Sequence, residues 1–151
     1  MTNYINGLKN VISSHKSGEM AFFLEKQKHK STIVLNASLS SYFGLPYGGA
    51  YSASKAALVN FAQAIQPELQ RKNIYIQIIN HGFVKTRLTA KNDFEMPQLM
   101  EVNYAAKKIF EGLNKPYKFE ISFPFVLSKF LRLLSLLPYK WSFSICKKFL
   151  K

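Results

Sequence analysis

Acidic residues are scarce in this chain: eight Asp and Glu stand against 21 Lys and Arg, a formal net charge of +13. Cysteine is nearly absent. Cys146 is the only one, which excludes an internal disulfide framework and makes a reducing cytoplasm the expected compartment. His15, His29 and His81 lie far apart, with no Cys/His cluster at metal-ligand spacing, so no metal site is expected. No apolar run approaches the roughly 20 residues of a membrane span. The first residues, Met1 to Val11, show neither the charged and apolar regions of a secretory signal nor a strand running into a glycine-rich turn. Disorder is not indicated either, since 48% hydrophobic content over 151 residues is enough to build one core.

What is present is organised around Ile33 to Lys55. The apolar Ile33-Val-Leu reads as a buried strand closed by Ser38, Gly44 and Pro46 mark a loop, and a helix rich in small residues opens at Tyr51. Four residues apart on a helix, Tyr51 and Lys55 share a face. That spacing suits proton transfer: a phenol with a pKa of about 10 is a poor acid or base near neutrality, and a neighbouring ammonium lowers it by favouring the phenolate. Ser38, off the strand end, is placed to hydrogen-bond a substrate oxygen beside that phenol.

Ser38 followed by Tyr51-Ser-Ala-Ser-Lys55, then a second strand at Ile74 to Asn80 ending in Gly82-Phe-Val-Lys-Thr86, resembles the active-site half of the short-chain dehydrogenase/reductases, in a form similar to a bacterial subgroup. The resemblance implies an NAD(P)-dependent oxidoreductase interconverting a carbonyl and an alcohol. Tyr51 would be the acid, Lys55 would tune it and hold the nicotinamide ribose, and Ser38 would position the carbonyl. Gly82, Val84 and Thr86, with Tyr51 and Lys55, would bind the nicotinamide end of NAD or NADP. A fourth catalytic residue of the family, an Asn serving a proton relay, falls on Asn3. Aligning from Gly7 without a gap puts Tyr4 there instead, and Asn3 also reads as a helix N-cap. At the end of the second strand, His81 replaces the family's usual Pro.

The family's glycine-rich pyrophosphate loop has no counterpart among the seven glycines here. The expected fold is therefore α/β: a three-layer Rossmann-like parallel sheet forming the C-terminal half of a doubly wound domain, with strands near 32–36, 74–80 and 118–123. The expected organisation is a partial domain over 1–123 and a basic amphipathic extension over 124–151. The chain reads as a fragment of a longer enzyme, a half needing its missing N-terminal partner, or a relic without turnover. Between the strands, Tyr51 to about Gln66 reads as a buried helix with a kink or restart at Pro67. A substrate lid is expected over 87–100, and Glu101 to Asn114 reads as an amphipathic helix with Ala105, Ile109, Phe110 and Leu113 apolar.

The charge excess is spread out, about half of it late and the remainder scattered over helices and loops. Lys118 to Lys151 hold seven Lys and Arg against the single acid Glu120. Past Pro124 the apolar residues are accompanied by one polar face of Ser128, Lys129, Arg132 and Ser135, and past Pro138 by another of Lys140, Ser144, Lys147 and Lys148. Such helices suit the surface of an anionic membrane, here the inner face; packing across the domain or a homo-oligomer contact is the other reading. A nucleic-acid partner is not expected, because the bases lie opposite apolar stripes and no recognition motif accompanies them.

Overall fold

A computed structural model describes residues 31–148 apart from Leu88 and Pro116. Three strands, β1 (Ser31–Asn36), β2 (Ile74–His81) and β3 (Glu120–Phe123), form a wholly parallel sheet in the order β1-β2-β3. In register, Ile33 lies opposite Ile76 and Leu35 opposite Ile78, while Ile79 lies opposite Ile121. Parallel neighbours need a crossover. The first is helix α1 (Gly49–Gln70); the second contains α2 (Val102–Leu113); α3 (Phe125–Leu136) and α4 (Tyr139–Lys147) follow β3.

Alternation along the strands sorts the two crossover helices onto opposite faces. Leu58, Ala62 and Leu69 of α1 pack with Ile33, Leu35, Ile74, Ile76 and Ile78 on one face, and Ala105 of α2 packs with Ile79, Ile121 and Phe123 on the other. The central β2 is consequently buried on both sides, and its near-continuous apolar sequence is the composition such a strand requires. The three-layer parallel arrangement is the one expected from sequence. β1 differs from β2: Ile33 and Leu35 are buried, while Val34 on its other face is exposed and its outer edge pairs with no described strand.

Three local expectations are corrected. Helix α1 continues through Pro67, with no restart there. The carbonyl that loses its donor belongs to Gln63, and both Gln63 and Pro67 are exposed, so water can satisfy it, while buried Leu69 anchors the last turn. In α2, Ala105 faces inward but Phe110 is exposed. In α3, Ser128 is buried along with Leu131 and Leu134, whereas Val126, Leu133 and Leu136 face outward. Its small polar residue sits on the packed side and much of its apolar surface on the other.

Candidate active site

Asn36 ends β1, and the chain turns through a single 3-10 turn at Leu39–Ser41 capped by Ser38. Ser38 is buried, its backbone extended; its hydroxyl accepts the Ser40 N–H at 3.2 Å and donates to the His81 carbonyl at 3.5 Å. That long contact ties the ends of β1 and β2 together. The loop returning to α1 is pinned at its far end by Ser52, whose hydroxyl accepts the Leu45 N–H at 3.4 Å.

Tyr51 stands in the first turn of α1, 44% exposed, and Lys55 one turn later, 8% exposed. The Lys55 ammonium lies 5.6 Å from the centre of the Tyr51 ring and donates to the Asn36 carbonyl at 2.8 Å. One of its three N–H donors is thereby used, leaving two directed within the same small region. Burial lowers the Lys55 pKa below the usual lysine value, because the charged form has lost water.

At the end of β2, His81 Nδ1 lies 2.7 Å from the Gly82 carbonyl, which as an acceptor requires that nitrogen to carry the proton. Gly82 donates its N–H to the Phe123 carbonyl at 2.9 Å. A Cβ there would sit 2.9 Å from Cδ of Pro124, so a larger residue would force the turn off the end of β3. Val84 bridges to Met100 and closes the neck of the segment expected as a lid. Thr86 is exposed; its N–H donates to the Thr89 hydroxyl at 2.8 Å, and the Thr89 N–H donates back to the Thr86 hydroxyl at 3.3 Å. Ser38, Tyr51, Lys55 and the Gly82 to Thr86 segment therefore gather at the carboxyl edge of the parallel strands, the edge at which open α/β sheets bind ligands. Asn3 lies outside the described residues.

Two elements of this arrangement were not found by reading the sequence. One is the Asn36 carbonyl that holds Lys55. The other is a polar cluster behind the Ser38 turn. The Glu120 carboxylate accepts from Asn80 Nδ2 at 2.6 Å and from the Tyr42 hydroxyl, and it pairs with Arg132, whose guanidinium also covers the Tyr42 ring at 4.5 Å. Burial first, and then the Glu120 carboxylate, raises the Tyr42 pKa. The cluster clamps α3 and the ends of β2 and β3 to the turn that carries Ser38. Its one sequence signal was Glu120 itself, the lone acid in a basic stretch.

Fold and edge together define an α/β protein of the doubly wound class, with Ser38, Tyr51 and Lys55 at the carboxyl edge of its strands. Residues 10–97 match the profile of the short chain dehydrogenase family, and the chain belongs to that family. It is 36% identical over 112 residues to an uncharacterized oxidoreductase of Myxococcus xanthus, covering 74% of this chain and 44% of that protein. The fold is similar to that of a short chain dehydrogenase from Burkholderia cenocepacia in complex with NADP (TM-score 0.61, 18% identity, 80% of this chain and 47% of that one). It is also similar to a short chain dehydrogenase/reductase from Burkholderia phymatum in complex with NAD (TM-score 0.57, 18% identity, 70% and 47%). The chain thus spans less than half the length of each of these proteins.

Proposed function

We propose that this chain carries the proton-transfer half of an NAD(P)-dependent oxidoreductase that interconverts a carbonyl and an alcohol. The observation that carries the reading is the buried Lys55 ammonium, held by Asn36 one turn from an exposed Tyr51, at the same strand edge as Ser38. In the reducing direction the Tyr51 phenol passes its proton to the carbonyl oxygen. The Lys55 charge stabilises the phenolate left behind. Ser38 exchanges its weak bond to the His81 carbonyl for one to the same substrate oxygen, which fixes the carbonyl beside the phenol.

The residues fit one end of a nicotinamide cofactor. Two uncommitted N–H donors on Lys55 suit vicinal ribose hydroxyls, and the backbone of Gly82 to Thr86, with the Val84 and Thr86 side chains, would flank the nicotinamide ring, whose bound form supplies the hydride. Among the described residues there is no glycine-rich turn to take the pyrophosphate. We therefore assign the remainder of the cofactor to a further half of the protein, in keeping with the span of less than half of its relatives. The choice between NAD and NADP, made at the adenosine ribose in this fold, belongs to that half.

The test is a chain in which this sequence is joined to a glycine-loop half of the same family. NAD(P)H oxidation with a carbonyl substrate should fall by at least about 100-fold in Tyr51→Phe, the upper part of the range for removal of a general acid being about 10⁴. Turnover equal to that of the parent would remove Tyr51 from the reaction.

A further inference from the structure

We propose that the outward sides of α3 and α4 form a docking surface for an anionic lipid bilayer, along which the two helices lie. The inward sides of the two helices are already accounted for: Leu131, Leu134 and Cys146 share a buried cluster with Leu39, and Ser128 and Ser142 are buried too. The outward sides carry Phe125, Val126, Leu133, Leu136, Tyr139, Trp141 and Phe143, each between 54% and 80% exposed. On α3, positions 125, 126, 129, 133 and 136 return to the side of the helix away from Leu131. Lys129 stands within that apolar stripe, its ammonium 5.4 Å from the centre of the Phe125 ring. On α4, Lys140, Ser144 and Lys147 form an exposed ridge beside the stacked rings of Tyr139 and Phe143.

No Asp or Glu occurs from Phe125 to Lys148. Arg132 is committed to Glu120 and Tyr42, which leaves Lys129, Lys140, Lys147 and Lys148 as the exposed cations of this surface. Seven large apolar side chains left exposed on two successive helices mark an interaction site. Apolar side chains interleaved with lysine, with Trp and Tyr among them, suit the boundary between headgroups and acyl chains. A second copy would cover the same patch less well. A two-fold contact sets the surface against itself, so the lysines of both copies meet with no acid on either helix to offset them, on chains that each carry +13. Against anionic lipid the same charges attract. No helix among the described residues is long and apolar enough to cross a membrane, so the contact is with the surface.

Trp141 is the only tryptophan in the chain, and its emission reports on α4. With the full chain, vesicles containing phosphatidylglycerol should move Trp141 emission to the blue and carry the protein into the pellet. Pure phosphatidylcholine vesicles should do so at least about tenfold more weakly. Replacing three lysines together (Lys140→Ser, Lys147→Ser, Lys148→Ser) should weaken partition to the anionic vesicles about 100-fold, at about fivefold per lysine. Leu133→Ser with Leu136→Ser should weaken binding to both kinds of vesicle. Equal binding to neutral and anionic vesicles overturns the proposal, as does failure to bind either. A blue shift that grows with protein concentration in the absence of lipid also overturns it, and assigns the surface to a second copy of the chain.

Discussion

At the scale of single residues, Lys55 shows burial and chemistry in opposition. Its ammonium is buried with one carbonyl partner, and desolvation lowers its pKa from 10.5. The sign of the pH dependence follows. Between the folded pKa and 10.5 the unfolded chain binds more protons than the folded one, so stability rises with pH through that window, and below it the full cost of burying the charge is present. Lys55→Met should therefore be more stable than the parent at neutral pH, with the difference closing as pH approaches 10.5, while it loses the proposed proton-transfer function. Denaturant melts of both chains over a pH series would check this; a gap that does not change with pH would contradict it. Gly112 makes the opposite kind of case. In an exposed helix Gly→Ala gains about 1 kcal/mol, but here a Cβ would lie 2.6 Å from both Cγ2 and Cδ1 of the buried, β-branched Ile121. We expect Gly112→Ala to destabilise the fold by about 1 to 3 kcal/mol, read as a lower denaturant midpoint.

At the scale of elements, β1 is the exposed flank of the sheet. Among the described residues its outer edge is unpaired and Val34 is 43% exposed. An apolar parallel strand left as an edge is a template for association. The chain by itself should associate at micromolar concentration, and Val34→Lys should reduce that association, followed by light scattering or sedimentation. A monodisperse monomer that unfolds in one sharp transition would count against the expectation. The helices show why periodicity alone assigned some faces wrongly. Amphipathic reading of α3 put Ser128 with Arg132 and Ser135 outside, but the helix must lay a flat side against Leu39 and the Tyr42 loop, and a serine packs there more closely than an outward leucine would. In β2, Gln77 looks like an interruption of an apolar strand. It is buried because its Nε2 donates to the carbonyls of Gly112, Lys115 and Lys118, closing the end of α2 and the approach to β3.

At the scale of the whole molecule, the proposed function gives the described residues only the nicotinamide side of a cofactor site. A pyrophosphate held at a helix N-terminus makes several charge-assisted hydrogen bonds, each worth about 1.5 to 3 kcal/mol. Three such losses, at about 1.4 kcal/mol per factor of ten, carry a micromolar ligand to millimolar or weaker. Titration calorimetry of the isolated chain with NADH and NADPH should show no saturation below about 1 mM, and saturable micromolar binding would refute the division of the site. How much of this protein was legible beforehand depends on the range of the forces involved. Strand positions, the helix bearing Tyr51 and Lys55, and the turn residues Ser38 and Gly82 follow from local preferences and short spacings, and the sequence by itself determined them, together with the family they signal. Only the tertiary structure decided that Asn36 holds Lys55, that Asn80, Tyr42, Glu120 and Arg132 meet behind Ser38, and which side of α3 faces outward. Those contacts join residues from 12 to 90 positions apart, and a local pattern carries no record of which distant side chain will fill the space beside it.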